Sequence, residues 1–308
     1  MAEQKLNGFA KFAWFALAYN LLVILWGVFL RASYSGDGCG QHWLTCGGEA
    51  VPSAPQLKTI IEFSHRITTT LAGLVLFALV FWAFLRREKR SYVRLFAALS
   101  FLFILIEGAI GGGLVLTGNT AANWTPTRPY WTAGHLINTF ILVAFLALTA
   151  WAASARRTIR NGISWRPIFL SGAGTAMIFF VGIAGSMAAL TTMLFPAESI
   201  AQGVAMDFDP ASHPLLRLRI LHPIAALAAG VALFFISGWV RANSENPNAQ
   251  KWARSLSILI FIQLAFGAAT LLMLGPIVMQ LGHLLLADLI WIAFVLMFAN
   301  HFSMDEMV

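Results

Sequence analysis

The sequence predicts an all-α integral membrane protein of eight transmembrane helices, arranged as two pseudo-symmetric four-helix bundles. Three observations predict this class. Hydrophobic residues make up 59% of the 308 residues and charged residues 11%, and the mean hydropathy is +0.75, far above that of a soluble domain. Apolar stretches long enough to cross a bilayer recur along the chain, and the two halves repeat one pattern of histidine and glycine.

The apolar stretches are judged by length, since about 20 apolar residues cross the hydrocarbon core of a bilayer. The first follows Lys5 and Lys11 and is longer than the apolar core of a cleavable signal, so we expect an uncleaved first span. The predicted spans are residues 12–32, 60–85, 94–117, 131–153, 167–194, 216–240, 252–274 and 278–300.

Basic residues predict the orientation of these spans. If the N-terminus is cytoplasmic, fourteen of the twenty Lys and Arg residues lie on the inner side, so the positive-inside rule places both termini in the cytoplasm of a bacterial-type cell. The formal charge of +7 belongs to these flanks, and nucleic-acid binding is not expected. The fourteen are Lys5, Lys11, Arg86, Arg87, Lys89, Arg90, Arg94, Arg156, Arg157, Arg160, Arg166, Arg241, Lys251 and Arg254.

The outer connections hold most of the sequence complexity, so we expect the active site to face the outer side. They cover residues 32–59, 118–130, 195–215 and 275–277, and turn-forming residues are frequent in the first three. Cys39 and Cys46, the only cysteines, both lie in the first connection. Because disulfides persist outside the cytoplasm, we predict that they are bonded to each other, as a structural staple or as a redox-active pair.

An internal repeat divides the chain into an N-terminal half, residues 1–153, and a C-terminal half, residues 154–308. The second and sixth predicted helices align at an offset of 157 residues, and the fourth and eighth at an offset of 148. An even number of helices in each half makes the two copies parallel. The aligned pairs are His65 with His222, Gly73 with Gly230, Gly111 with Gly267, and His135 with His283.

The four aligned histidines lie at one depth, roughly 8 to 9 Å inside the outer surface. Two neutral imidazoles that face each other across a bundle core can ligate a haem iron, so we predict one bis-histidine haem in each half. Hydrogen-bonded core histidines are the alternative, and so is a non-haem metal site, which more often recruits carboxylate or cysteine ligands. His42, His213 and His301 have no such partners, and solvated positions are expected for them.

Haem propionates would point to the outer interface, where four arginines are candidates to pair with them. Topology or contact with lipid headgroups explains these arginines equally well. The aligned glycines would let a macrocycle lie close to the backbone, although tight helix packing requires glycine too. The candidate arginines are Arg66, Arg128, Arg217 and Arg219.

Chemical differences between the halves point to the first half as the reactive one. Glu62 is three residues before His65, so on a helix the two side chains share a face. In the second half the aligned position is Arg219, and Arg66 is replaced by Pro223. A carboxylate at this position can move protons or stabilise a developing positive charge, with the second half as a fixed electron carrier. The alternative is that Glu62 only pairs with a loop arginine.

These residues together resemble the haem A synthase family. The resemblance implies an enzyme that oxidises a methyl group of haem O to a formyl group, giving haem A for terminal oxidases. It associates His65 and His135 with the substrate haem, makes Glu62 catalytic, and assigns His222 and His283 to a resident haem b. The matching pieces are GVFLR (27–31), GDGC (36–39), WLTCG (43–47), EFSHR (62–66), GHLINT (134–139), LHP (221–223) and GH (282–283).

The implied partners are haem O synthase, an electron acceptor or donor, the lipid bilayer and a second copy of the chain. Family members with a second cysteine pair carry it in the connection at 195–215, where this sequence has none. The main rival is a bis-histidine di-haem cytochrome that carries electrons from quinol. A solute transporter would need polar groups at midplane, where only Glu107 fits clearly. We interpret Glu107 and Asp288 as packing groups or as parts of a proton path.

Overall fold

A computed structural model describes residues 6–85, 92–120, 123–155, 157–160 and 162–305. Within these ranges, eight helical spans are long and apolar enough to cross a membrane. The predicted class is therefore confirmed, and the protein is an all-helical, multi-pass membrane protein. Part of the basic set that predicts the orientation lies outside the described residues, namely Lys5, Arg86, Arg87, Lys89, Arg90 and Arg156.

Each predicted apolar stretch lies on an observed span, and most observed helices begin a few residues earlier than predicted. The N-terminal turns are more polar than the apolar stretches. Asn7, for example, begins α1 by accepting a hydrogen bond from the backbone N–H of Ala10 at 2.9 Å. The helices are α1 Gly8–Ala32, α2 Leu57–Leu85, α3 Tyr92–Leu116, α4 Arg128–Ser154, α5 Trp165–Leu194, α6 Ile200–Phe208, α7 Pro214–Leu218, α8 Leu221–Asn243, α9 Pro247–Leu272 and α10 Ile277–His301.

Three short elements were not predicted. The strands β1 (Arg157–Ile159) and β2 (Ser303–Asp305) pair antiparallel and link the chain after α4 to the end of α10. Helix α6 lies in the predicted outer connection, where the Ser199 hydroxyl caps it by accepting from the Gln202 N–H at 3.2 Å. All three are too short to give a hydropathy signal.

The sixth predicted span is confirmed, but it is interrupted near its N-terminal end. Helix α7 ends at Leu218 and α8 begins at Leu221. Pro223 has no N–H to donate to the carbonyl of Arg219, and its ring crowds that carbonyl. The N–H of His222 contacts the Arg219 carbonyl instead, at 3.3 Å. The break therefore places His222 in the first turn of α8.

Helices α4 and α10, which carry His135 and His283, lie at the centre of the molecule. Of their most apolar segments 56% and 50% are buried, against 11% to 28% for the other six spans. Helix α4 packs against α1, α3, α5 and α10, and α10 packs against α1, α4 and α9. The Trp291 indole N–H of α10 donates to the Phe140 carbonyl of α4 at 2.7 Å. The division into two pseudo-symmetric bundles stays a prediction.

Candidate functional site

The two candidate histidines of the second half face each other. The ring centroids of His222 and His283 are 6.1 Å apart and their planes are inclined at 84°. Two imidazoles that bind one metal ion through nitrogens at about 2 Å have centroids roughly 6 Å apart, so the separation suits a shared iron. His222 Nδ1 lies 3.2 Å from the Val181 carbonyl oxygen, which only accepts, so Nδ1 carries the hydrogen and Nε2 is left for a metal.

The donor set also fits a haem. Two neutral imidazoles provide axial ligands, and the macrocycle itself supplies the remaining ones. In the part of the chain that the structure describes, the Nδ1 atom of His283 has no hydrogen-bond partner. A buried ring nitrogen in that state is able to take a ligand without breaking an existing hydrogen bond.

Three of the four rings lie against a glycine of a neighbouring helix. A Cβ atom at Gly185 would lie 2.8 Å from Cε1 of His222, and one at Gly267 would lie 2.9 Å from Cε1 of His283. In the first half, a Cβ atom at Gly27 would lie 3.1 Å from Cε1 of His65. Gly27 and Gly185 were not predicted as neighbours of the histidines, although their spacing of 158 residues follows the repeat.

In the first half, His65 and His135 lie close enough for their charges to interact. Among the described residues, the Nδ1 atoms of both rings have no hydrogen-bond partner. A carboxylate oxygen of Glu107, from α3, lies 3.5 Å from His135 Nδ1. The predicted site therefore includes Glu107, which the sequence did not connect with any histidine.

Glu62 is a buried carboxylate near the N-terminal end of α2, and 3% of its surface is exposed. Its Oε2 accepts from the backbone N–H of Cys39 at 2.8 Å, and its Oε1 accepts from Arg66 Nη2 at 2.5 Å. Glu62 therefore does pair with an arginine, but this arginine is one turn along its own helix and not in a loop. The catalytic role of Glu62 stays a prediction.

The predicted disulfide between Cys39 and Cys46 is present, and the loop it closes is bound to α2. Arg66 Nη1 donates to the carbonyls of His42 and Thr45, both at 2.7 Å. On the other side of the loop, the indole of Trp43 lies against Gly112 of α3, where a Cβ atom would overlap it. The loop thus covers the N-terminal part of α2 and the C-terminal part of α3.

All four candidate arginines make contacts within the protein. Arg66 binds Glu62 and the disulfide loop, as described above. Arg128 is buried and donates to the Asn123 carbonyl. Arg219 pairs with Asp207 at 2.8 Å, and the exposed Arg217 donates to the Pro210 carbonyl at 2.5 Å. Their binding of propionates stays a prediction.

A further arginine, Arg31, is the last residue of the matching piece GVFLR (27–31), and the sequence predicted no contact for it. Arg31 of α1 reaches the side-chain oxygen of Gln280 of α10 at 3.4 Å. It also lies within electrostatic range of Arg128. The guanidinium groups of Arg31 and Arg128 therefore lie near each other.

Of the three remaining histidines, one has the solvated position predicted for it and two do not. His42 is exposed, as predicted. His213 is half-buried between Phe195 and Trp124, with ring centroids at 5.5 and 4.6 Å. His301 is 8% exposed and packs against aromatic residues at the end of α10, so the prediction of a solvated tail is wrong there. Aromatic residues from other elements cover both rings.

Three of the aligned glycines have ordinary surroundings, whereas the acidic residue Asp288 does not. A Cβ atom at Gly230 would contact Leu264 at 3.2 Å, so this glycine packs α8 against α9. A Cβ atom at Gly73 or Gly111 would meet nothing within 4 Å. Asp288 is fully buried, and neither of its carboxylate oxygens has a hydrogen-bond partner among the described residues.

Comparison with known proteins identifies the family. Proteins from two strains of Thermus thermophilus, each named Protoheme IX farnesyltransferase, are 40% and 39% identical over 289 residues, 93% of this chain and 47% of theirs. The chain thus spans about half the length of these relatives. A protein of an Exiguobacterium species named Heme A synthase is 39% identical over 107 residues, 35% of this chain and 36% of its own.

A family model covers nearly the whole chain. The model described as COX15-CtaA, cytochrome oxidase assembly protein, matches residues 10–295. That range includes six spans completely, the disulfide loop and the four aligned histidines; the first span begins two residues before it and the last span ends six residues after it. The chain therefore belongs to the COX15-CtaA family of cytochrome oxidase assembly proteins.

Proposed function

We propose that the protein is a haem A synthase, which oxidises a methyl group of haem O to a formyl group. Membership of the COX15-CtaA family and the relatives named Heme A synthase support this reaction. The observation that carries it is the chemical asymmetry of the outer face. A buried carboxylate stands one helical turn before His65, and the aligned position in the second half is the cation Arg219.

The first half holds the substrate in this proposal. His65 and His135 bind the iron of haem O, and Glu62 acts on the reacting carbon. A carboxylate has about four lone-pair sites. The hydrogen bonds from Cys39 and Arg66 use two of them, so Glu62 retains sites that can accept a proton or stabilise a developing cation.

The second half binds the resident cofactor. His222 and His283 hold haem b, which supplies one-electron transfer when it is bound. The Val181 carbonyl keeps the hydrogen of His222 on Nδ1 and so directs Nε2 towards the iron. Gly185 and Gly267 leave room for the two rings against the neighbouring helices.

The reaction needs further partners, because the methyl carbon loses hydrogen and gains an oxygen atom. An electron acceptor and an oxygen source must therefore reach the active site, and a haem O synthase must supply the substrate. We place the protein in the bacterial cytoplasmic membrane with both termini in the cytoplasm, the active site toward the outer face, and a homo-oligomer as the assembly. Residues 1–153 form the substrate half and residues 154–308 the haem b half.

A bis-histidine di-haem cytochrome is the second candidate. The facing rings of His222 and His283 favour it as much as they favour the enzyme. It offers no use for Glu62 or for the disulfide loop, which belong to one half alone. Farnesyl transfer, named for the Thermus relatives, has less support, because more than half of each of those proteins lies outside the match.

Co-expression separates these candidates. The full chain is produced with a haem O synthase in a host without its own haem A synthase, and extracted haems are resolved by chromatography and mass spectrometry. We expect a formyl-bearing haem that depends on the chain. A bis-histidine absorbance spectrum without that product would favour the cytochrome. Conversion of protohaem to haem O in the absence of the added synthase would favour farnesyl transfer.

A further inference from the structure

In both halves, the third span presents a polar side chain to the candidate histidine of the fourth span. Because Gly111 aligns with Gly267, Glu107 of α3 aligns with Gln263 of α9. Glu107 Oε1 lies 3.5 Å from Nδ1 of His135. Gln263 Nε2 lies 3.4 Å from Nε2 of His283 and donates to the backbone carbonyl of His283 at 3.1 Å.

Helix α4 holds the carboxylate of Glu107 in place. Asn138 Nδ2 donates to Glu107 Oε2 at 2.5 Å, and the hydroxyl of Thr139 donates to Oε1. Asn138 and Thr139 are three and four residues after His135, so all three side chains lie on one face of α4. Asn138 also donates to the Phe103 carbonyl of α3 at 2.9 Å, which locks the two helices together at this point.

The second half lacks this arrangement. At the fourth-span offset of 148 residues, Leu286 and Ala287 stand where the first half has Asn138 and Thr139. Neither side chain can donate a hydrogen bond to a group on α9. The three polar residues around His135 therefore differ together from their counterparts, which indicates one structural unit and not three separate substitutions.

The difference reverses the hydrogen-bond polarity beside the histidine. A carboxylate oxygen only accepts. Glu107 Oε1 lies at ion-pair distance from Nδ1 of His135, so it takes the hydrogen on Nδ1, and leaves Nε2 for a metal, once the two groups approach to hydrogen-bond distance. The Gln263 nitrogen lies beside the other ring nitrogen of its histidine, Nε2 of His283, and it only donates, so it cannot accept a hydrogen from that ring. A hydrogen-bond acceptor beside the ring nitrogen that does not bind the metal increases the basicity of a ligating imidazole and fixes its orientation.

We propose that Glu107 is a positioning residue for His135. Held by Asn138 and Thr139, it gives the substrate-haem ligand a carboxylate partner that the haem b ligand His283 lacks. The inference rests on the proposed function, in which His135 binds the iron of haem O. A more basic ligand favours ferric over ferrous iron, so the first-half haem has a lower reduction potential than it would have beside an amide.

The test is a redox titration of the purified full chain after addition of haem O, followed by absorbance. The first-half signal is the one that His135→Ala removes. We expect Glu107→Gln to raise its midpoint potential by an amount equivalent to a tenfold change in the ratio of reduced to oxidised haem, about 59 mV for one electron. The second-half potential is expected to stay at its wild-type value.

Two matched variants complete the test. Asn138→Leu introduces the residue found in the second half and keeps the carboxylate, so we expect a smaller shift in the same direction. Gln263→Glu is expected to lower the second-half potential. Unchanged first-half potentials in both Glu107→Gln and Asn138→Leu, with haem retained, would refute the positioning role, as would equal shifts at both haems. A wild-type chain that binds no haem through His135 would instead refute the proposed function.

Discussion

The backbone N–H of Cys39 donates a hydrogen bond to the Glu62 carboxylate, with 2.8 Å between the nitrogen and Oε2. Cys39 is also one end of the disulfide. The two features that distinguish the first half from the second, the carboxylate and the cysteine pair, are therefore directly joined. The disulfide loop is thus part of the immediate environment of Glu62.

Loss of the disulfide is expected to act on Glu62. In a Cys39→Ser, Cys46→Ser variant, the cross-link no longer constrains the unfolded chain, which lowers the free energy of unfolding by about 2 kcal/mol on the chain-entropy estimate, and the loop is no longer closed in the folded protein. The hydrogen bonds to Glu62 and Arg66 then weaken. We predict faster proteolysis of the outer loop and a lower yield of haem A in the co-expression assay. If the variant gave a wild-type yield of haem A although its loop was cleaved faster, the loop would not be needed for the reaction.

Removal of the Glu62 carboxylate is expected to stop the reaction while leaving haem binding intact. In Glu62→Gln, the amide oxygen can still accept from Cys39, but the group no longer accepts a proton as a carboxylate does. A missing acid–base group costs roughly a hundredfold or more in rate. The haem A yield and the haem content are measured together, with Glu198→Gln, an exposed outer carboxylate, as the matched control. Haem A at the wild-type level would show that Glu62 is not catalytic.

The glycine beside His222 offers a steric test of the second site. A Cβ atom at Gly185 would lie 2.8 Å from the His222 ring, so Gly185→Ala must displace the imidazole. We predict loss of the second-half haem signal, measured as haem per protein by absorbance. Gly172→Ala on the same helix is the control, because a Cβ atom there meets nothing within 4 Å. Full haem content in Gly185→Ala would place the ligand elsewhere.

The histidine pairs predict two separable spectra. In the proposed second site His222 and His283 would hold one iron, so replacing either by Ala is expected to abolish the same haem signal. Replacing His65 or His135 is expected to abolish the other. The measurement is the low-temperature absorbance spectrum of each purified variant. Loss of both signals in any single variant that remains folded would contradict one bis-histidine site in each half.

The contact between α4 and α10 predicts a stability effect. Trp291→Phe removes the indole N–H that donates to the Phe140 carbonyl but keeps an aromatic ring among its neighbours. A hydrogen bond between membrane helices contributes about 1 kcal/mol. We therefore predict a modest fall in the thermal unfolding temperature in detergent. Trp165→Phe, at an exposed position near the start of α5, is the control.

Most of the fold and part of the site could be predicted from local sequence. Each span is a run of apolar residues, so its position in the sequence can be predicted without knowing which helices pack against it. The disulfide was predictable because only two cysteines exist and they share one loop. The burial of His301 was not predictable, because Trp239, from a helix sixty residues earlier, covers its ring.

The sequence by itself determined the membrane class, the eight spans, the repeat and the four histidines, because hydropathy and spacing are properties of neighbouring residues along the chain. Only the tertiary structure decided which groups meet across helices. It joined Glu62 to Cys39, brought Glu107 to His135, and set Gly185 against His222. These contacts depend on how each helix is rotated about its axis and on how deep it lies in the membrane. An apolar sequence pattern determines neither, because lipid tails and neighbouring helices are equally apolar.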